Sequence, residues 1–218
     1  WPADMAAYFA EEASDGHTRA TLLKLAALLH DVAKPEAKTI EKSGRIRFFG
    51  HHTAGARRAE AILARLRFSS RGVRLASLMV EHHLRPAALS DGEQLPTRRA
   101  LYRYFRDAGE AALDTLYLNA ADYLAARGPG LDGQDWERYC AHIRYSLDWW
   151  EQQKARPAKA GHRLVDGHVL MEALGLPPGP MLGRLLDALQ EAEAVGEVAS
   201  REAALDLARR LLREWQGT

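Results

Sequence analysis

The sequence predicts an all-α fold that carries one small β-hairpin and ends in a helical tail. Apolar residues recur with helical spacing along most of the chain, for example at Leu22, Leu25 and Leu29. Prolines that are typical of helix ends, Pro35 and Pro86, stand where this periodicity stops. Of the 218 residues, 47% are hydrophobic and 27% are charged, which is ordinary usage for a folded globular protein.

Capping residues mark further helices in the order of the chain. A helix is expected to begin after Ser69 and Ser70, because serine side chains accept hydrogen bonds from the first backbone N–H groups of a helix. Asp132 stands at the start of a long amphipathic helix that reaches residue 156, and Ser200 opens the last helix. Together these signals predict a helical body over most of the chain.

One segment, residues 39–49, departs from the helical pattern. β-branched and aromatic residues there flank a Ser43-Gly44 turn, which predicts a β-hairpin. A second break, at residues 156–161, combines proline, glycine and alanine and indicates a linker. We therefore divide the chain into a helical domain, residues 1–156, and a C-terminal helical segment, residues 157–218.

Composition restricts the environment and the partners. The formal net charge is only +1, so attraction to nucleic acid has to come from local clusters of basic residues. The single cysteine, Cys140, cannot form an internal disulfide, which favours a reducing compartment such as the cytoplasm. No stretch is apolar enough to predict a membrane helix.

Histidines and aspartates of metal-binding type occur in four places along the helical body. They are His30-Asp31, His51-His52, His82-His83 and Asp122. Imidazole mixed with carboxylate favours a divalent transition ion over calcium, and a thiolate zinc cluster is excluded because there is one cysteine. A single histidine among helices is more often an ordinary surface or core residue, and we assign that role to His52, His142 and His162.

The segments LLHDVAKP, GRIRFFGHHTAGA, VEHHLRP and ADYLA resemble, in order and spacing, the HD superfamily of metal-dependent phosphohydrolases. The resemblance is to the branch attached to tRNA nucleotidyltransferases and poly(A) polymerases, and it implies an HD-domain helical bundle. It further implies a divalent metal (Mn, Ni, Fe, Mg or Co) held by His30, Asp31 and Asp122. His51 and His82 would complete a second-metal or substrate-side position, with His83 as the alternate.

The family also has a histidine well upstream of the His-Asp pair. His17 lies too close to His30 for that role, so we expect the first ligand to precede this sequence. Three side chains are candidates for catalysis on a phosphoester: Asp31 as the residue that bridges metals and orients the nucleophile, with Lys34 and Arg85 neutralising phosphate oxygens. Simple solvation is the alternative for Lys34 and Arg85.

Arginines with neighbouring aromatic residues form a candidate RNA surface, for which we name Arg57, Arg58, Arg99 and Arg103. The tail resembles the C-terminal segment of the CCA-adding enzymes, which implies a phosphate contact at the helix start marked by Gly179 and Gly183. An ordinary solvated face and an ordinary helix start with proline are the alternatives.

Two functions remain open. The chain is either a phosphohydrolase acting on RNA ends, 2′,3′-cyclic phosphates or nucleotides, or an inactive tRNA-binding module that serves a nucleotidyltransferase head. The sequence contains no Gly-Ser motif followed by paired carboxylates, so the chain itself is not expected to add nucleotides.

Overall fold

A computed structural model describes residues 5–89, 94–155 and 164–216 of the chain. The predicted linker at residues 156–161, the boundary between residues 156 and 157, and His162 lie outside the described residues. Within the described ranges, helices dominate and the only strands form two small antiparallel hairpins, which confirms the predicted fold class.

In chain order the described helices begin with α1 (Met5–Ala10), α2 (Arg19–Leu29), α3 (Lys34–Ala37), α4 (His51–Arg65), α5 (Ser70–His82), α6 (Arg98–Ala108), α7 (Ala112–Arg127) and α8 (Gly133–Ala155). Those that follow are α9 (Gly167–Leu174), α10 (Pro180–Val195) and α11 (Arg201–Gln216). Short 3₁₀ turns occupy Pro86–Ala88, Gly109–Ala111 and Gly128–Gly130.

The predicted helix starts are present and are capped by the expected side chains. Ser69 Oγ accepts a hydrogen bond from the backbone N–H of Gly72 at 3.3 Å, and Ser200 Oγ accepts one from Ala203 at 3.2 Å. Asp132 caps α8 in the same way. These bonds satisfy backbone donors that the first turn of a helix leaves without a partner.

Pro35 and Pro86 do not close helices as the sequence predicts. α2 ends at Leu29 and α5 at His82, and each proline instead lies in the first turn of the short helical segment that follows. The first turn tolerates proline because its backbone nitrogen has no helical acceptor there. Each helix therefore stops earlier than predicted, which leaves room for a turn that carries histidine.

The predicted hairpin pairs β3 (Lys38–Ile40) with β4 (Ile46–Phe48), and Gly44 in its turn has a φ of 82°. A second hairpin, which the sequence analysis missed, pairs β1 (Glu12–Ser14) with β2 (His17–Thr18). Its strands are too short to show an alternating pattern.

Two compact units account for the contacts of the chain. The first comprises Trp1–Thr97 and Tyr104–Trp150, and the second comprises Arg98–Arg103 and Glu151–Thr218. The core of the first unit is built by α2, α4, α5 and α7, with Leu22, Leu63, Leu75 and Leu118 buried. Packing of these helices brings together residues that are distant from one another in the sequence.

Gly55 allows the close approach of three of these segments. A Cβ atom at this position would lie 3.2 Å from Val80 Cγ1 and 3.5 Å from the backbone oxygen of His30. The absence of a side chain on α4 therefore lets α5 and the end of α2 pack directly against it.

The second unit has its own core, contributed by α9, α10 and α11. Leu170, Leu185 and Ala208 are fully buried there, and Val198 closes the turn between α10 and α11. None of the described helices in either unit is both long and apolar enough to span a membrane.

Candidate metal centre

The candidate metal ligands lie at helix ends of the first unit. His30 and Asp31 follow the last residue of α2, His51 is the first residue of α4, and His83 follows the last residue of α5. Asp122 lies within α7. Packing of these four helices around one core converts positions that are distant in the sequence into one cluster.

Asp31 is at the middle of this cluster. Its Oδ2 lies 3.2 Å from His30 Nε2, and its Oδ1 lies 3.4 Å from His51 Nε2 and 3.9 Å from His83 Nε2. Asp122 Oδ1 lies 3.6 Å from His30 Nε2. Potential ligand atoms of His30, Asp31 and His83 all lie within 4.8 Å of one another, which is compatible with one shared ion.

The three imidazoles are oriented by the same local device. In His30, His51 and His83, Nδ1 is hydrogen-bonded to the backbone carbonyl three residues earlier. The accepting oxygens belong to Ala27, Phe48 and Val80, at 2.8, 2.7 and 2.7 Å respectively. A carbonyl can only accept, so Nδ1 carries the proton and Nε2 presents a lone pair toward Asp31. Backbone carbonyls fix metal-ligating histidines in this manner.

Several of these inward-facing atoms are buried without a hydrogen-bond partner among the described residues. They are His30 Nε2, Asp31 Oδ1 and His51 Nε2. A buried polar atom without a partner is unfavourable by about 1–3 kcal/mol. These three atoms are all of ligand type and belong to the cluster around Asp31, so they fit a site for divalent cations, where coordination would satisfy them.

The protonation states also fit a cation. Burial acts to raise the pKa of the Asp31 carboxyl, but the hydrogen bond from Lys34 and the positive charge of Lys34 outweigh it, so the pKa is lowered. Burial lowers the pKa of His83 to about 4. At neutral pH the cluster therefore presents a carboxylate and a neutral imidazole, the forms that bind metals.

Lys34 and Arg85, the predicted phosphate-neutralising residues, occupy different surroundings. The amino group of Lys34 lies 2.5 Å from Asp31 Oδ2, so it is directly beside the cluster. Arg85 pairs with Asp107 at 2.8 Å, and its guanidinium lies 5.8 Å from the centre of the Tyr104 ring. Arg85 is thus already bound to a carboxylate.

His82 and His83 exchange the places that the sequence analysis gave them. His83 is buried and faces Asp31, whereas His82 interacts with Arg85 and with the backbone of Asp107. Burial and the nearby Arg85 charge lower the pKa of His82. Two adjacent residues point in directions about 100° apart on a helix, and the sequence does not reveal which of them faces inward.

Sequence reasoning missed a polar pair behind the cluster. Asn119 Nδ2 donates to the backbone oxygen of His83 at 2.8 Å, and the Tyr139 hydroxyl donates to Asn119 Oδ1 at 2.7 Å. Asn119 lies one helical turn before Asp122, which is the signal that could have pointed to it. His17, by contrast, packs its ring against Phe68 at 4.7 Å and is not in the group of potential ligands.

The predicted RNA-binding arginines differ in availability. Arg57 is exposed, whereas Arg58 forms a two-pronged ion pair with Glu36. Arg99 and Arg103 both bind the carboxylate of Glu191, with Nε to oxygen distances of 3.0 and 2.9 Å.

The helix start predicted to bind phosphate is that of α10. Gly179 precedes its first residue, Pro180, and the backbone nitrogen of Gly183 donates to the oxygen of Gly179 at 3.2 Å. A Cβ at Gly183 would meet no described atom within 4 Å. The first turn of α10 is thus open on the Gly183 side.

Comparison with known proteins gives two results. Residues 3–127 match the sequence profile of the HD domain family. The chain is 37% identical over 196 residues to the CC-adding tRNA nucleotidyltransferase of Thermus thermophilus, which covers 89% of the chain and 40% of that protein. It is 35% identical over 198 residues to the A-adding tRNA nucleotidyltransferase of Deinococcus radiodurans, which covers 90% of the chain and 43% of that protein. The chain thus spans about two fifths of the length of these relatives.

Proposed function

The chain belongs to the HD domain family, and from that membership we propose that it is a metal-dependent phosphohydrolase that acts on RNA. The observation that carries the proposal is the common orientation of three imidazoles. His30, His51 and His83 each have Nδ1 fixed by a backbone carbonyl, and each directs Nε2 toward Asp31. A purely structural cluster would not require the same ring nitrogen of all three to face one carboxylate.

His30, Asp31, His83 and Asp122 would hold the first ion, and His51 lies beside Asp31 Oδ1 at 3.4 Å. A bound divalent ion would supply Lewis acidity, which helps a water molecule to lose a proton and attack phosphorus and also polarises a phosphoryl oxygen. Asp31 holds its carboxylate charge at neutral pH and orients the attacking water. Lys34, 2.5 Å from Asp31, stabilises negative charge that develops on the phosphoryl group.

The substrate we propose is an RNA end, either a terminal phosphate or a 2′,3′-cyclic phosphate. The support comes from the relatives, since both are tRNA nucleotidyltransferases. The matched region extends over 89–90% of the chain and so includes most of the second unit, whose α10 begins at the Gly179-Pro180 turn. We propose that this helix start contacts RNA phosphate and that the protein acts in the cytoplasm.

The test is hydrolysis by the purified chain after removal and return of metal. The chain is treated with EDTA, dialysed, and supplied separately with Mn²⁺, Ni²⁺, Fe²⁺, Mg²⁺ or Co²⁺. Release of phosphate from a 3′-phosphorylated RNA, and opening of a 2′,3′-cyclic phosphate, are then measured. We expect activity with at least one ion, and a loss of at least about 100-fold in kcat in His30→Ala, because a metal ligand is removed.

The matched control is His168→Ala, which removes an exposed histidine of the second unit and should leave turnover unchanged. If the protein hydrolyses neither substrate with any of the five ions but still binds tRNA, the hydrolase proposal is refuted. That result would favour the alternative, a tRNA-binding module serving a nucleotidyltransferase head.

A further inference from the structure

The β3–β4 hairpin is joined directly to the metal centre. The backbone oxygen of Phe48, the last residue of β4, accepts the hydrogen bond from His51 Nδ1 at 2.7 Å. The ring of Phe48 lies 5.6 Å from the amino group of Lys34. The end of β4 therefore borders the cluster, so the hairpin is adjacent to the place where a substrate would bind.

The hairpin carries apolar side chains that are exposed to solvent. Ile40 is 67% exposed, Ile46 is 47% exposed, and Phe49, which follows β4, is 71% exposed. Ile40 and Ile46 are directly opposite each other in the strand pairing, so they form one continuous apolar strip. Neighbouring exposed apolar residues of this kind often mark a binding surface.

Positive charge is concentrated on the same hairpin. Residues 38–49 contain four basic side chains and one acidic side chain, a net charge of +3 in a chain whose total is +1. Arg47 pairs with Glu41 at 3.0 Å, and its guanidinium lies 5.7 Å from the Phe49 ring. Lys42 and Arg45 are exposed and make no ion pair with the part of the chain that the structure describes.

We propose that residues 38–49 form a binding arm for the single-stranded RNA segment next to the phosphate that is cleaved. Lys42 and Arg45 contact backbone phosphates, and Phe49 stacks on a base. An exposed aromatic ring beside cations matches a nucleic-acid strand better than a protein partner, because every base offers a face for stacking and every phosphate offers a charge. The inference rests on the proposed function in that it takes the cluster as the place of reaction.

The charge contacts are tested by RNA binding without turnover. Anisotropy of a short fluorescein-labelled single-stranded RNA of mixed sequence is measured in EDTA with the 218-residue chain over a range of salt concentrations. The double variant Lys42→Ala/Arg45→Ala should bind about 25-fold more weakly at about 0.1 M salt. The slope of log K against log salt should fall by about 1.4, since each single-strand phosphate contact contributes about 0.7.

The matched control is Lys24→Ala/Arg65→Ala, which removes the same residue types and the same charge from exposed positions on α2 and α4. It should change affinity by less than about threefold, since no phosphate contact is lost. Equal losses in the two double variants would overturn the inference, because only the overall charge would then matter.

Stacking by Phe49 is tested with two single substitutions. Phe49→Tyr should retain RNA affinity, whereas Phe49→Leu should lose roughly tenfold, because leucine is apolar but cannot stack. Equal affinity of both variants and the unmodified chain would contradict the stacking contact. A change in sedimentation mass without a change in RNA binding would show instead that the hairpin pairs with a second copy, and would also refute the arm.

The arm can fail while the proposed function stands. Turnover of a small chromogenic phosphodiester, which cannot reach along the hairpin, should be equal in the Lys42→Ala/Arg45→Ala variant and the unmodified chain. If that small substrate is hydrolysed and RNA binding is unaffected by both sets of variants, the hydrolase proposal survives and the arm does not.

Discussion

Asn119 donates a hydrogen bond of 2.8 Å from its side-chain Nδ2 to the backbone oxygen of His83. The hydroxyl of Tyr139 in turn donates to Asn119 Oδ1 at 2.7 Å, so the amide is fixed from both sides. The position of the His83 ring therefore depends on a residue of α7 that does not itself face Asp31.

Loss of this support should weaken metal binding. We expect Asn119→Ala to lower Mn²⁺ affinity by about tenfold, as is typical when a residue that orients a metal ligand is removed. Isothermal titration calorimetry on the metal-free chain measures the change. Ser146→Ala, which removes a buried hydroxyl that donates to the backbone oxygen of His142, is the control. Unchanged affinity in Asn119→Ala would show that the His83 ring is positioned without it.

Substitutions at the two adjacent histidines should separate their roles. His83→Ala is expected to reduce Mn²⁺ affinity by more than about 100-fold, because its Nε2 faces Asp31 at 3.9 Å and its loss removes a ligand. His82→Ala, the matched control, should change affinity by less than about threefold, since that ring faces Arg85 and Asp107 instead. A larger loss of Mn²⁺ affinity in His82→Ala than in His83→Ala would instead support His82 as the metal ligand, as the sequence suggested.

Gly55 should not accept a side chain. Gly55→Val is expected to lower the free energy of unfolding by about 1–3 kcal/mol, because even its Cβ would lie 3.2 Å from Val80 Cγ1. Urea denaturation followed by circular dichroism measures the effect. Gly183→Val is the matched control and should change stability by less than about 0.5 kcal/mol, since its Cβ would meet no described atom within 4 Å. Equal effects would argue against tight packing at Gly55.

Asp114 should make stability depend on pH. The residue is fully buried beside Arg19 and Tyr8, and burial raises the pKa of its carboxyl to about 6. The folded state thus retains a proton that the unfolded state releases near pH 4, and this contribution to stability is present at low pH and lost as pH rises through 6. Asp114→Asn removes the ionisation.

We therefore compare the free energy of unfolding of Asp114→Asn with that of the unmodified chain at two pH values. The difference, variant minus unmodified chain, should be about 2 kcal/mol more favourable to the variant at about pH 7.5 than at about pH 4.5. Urea denaturation at the two pH values measures the difference. Asp148→Asn, at an exposed position of α8, should show no such pH-dependent gain. An Asp114→Asn difference that stays constant with pH would mean that this carboxylate is ionised throughout.

Arg99 and Arg103 should contribute to stability as well as to any RNA contact. Glu191 is only 7% exposed, and both arginines bind its carboxylate. Arg99→Ala/Arg103→Ala would leave a buried charge without these partners and should lower the free energy of unfolding of the second unit by about 3 kcal/mol. Arg209→Ala, which breaks an exposed pair with Asp206, should have an effect below about 0.5 kcal/mol. An unaffected unfolding transition in the double variant would leave both side chains with a purely surface role.

The sequence predicted the helices well where their apolar face is continuous and their start is capped, as at Ser69 and Asp132. It predicted the β3–β4 hairpin because glycine marks the turn, and it missed the β1–β2 hairpin because strands of three and two residues show no pattern. Pro35 was misread because proline is compatible with both a helix end and a helix start.

The candidate site was predictable as a set of residue types but not as an arrangement. Distances such as 3.6 Å between His30 and Asp122 depend on packing between helices, which periodicity does not encode. The choice between His82 and His83 depends on the rotation of the last turn of α5. Asn119 and Tyr139 could not be singled out because their importance comes from contacts with the backbone of another segment.

The three imidazoles take their orientation from carbonyls within their own stretch of chain, but they meet only when α2, α4 and α5 are packed together. An ion coordinated there would cross-link the ends of α2, α4 and α5, which are distant from one another in the sequence. It would bind the native chain in preference to the unfolded one and would therefore raise the melting temperature. At a free-ion concentration 100 times the dissociation constant, the added free energy of unfolding is about 2.7 kcal/mol. Ion supply would then regulate the lifetime of the fold as well as its chemistry.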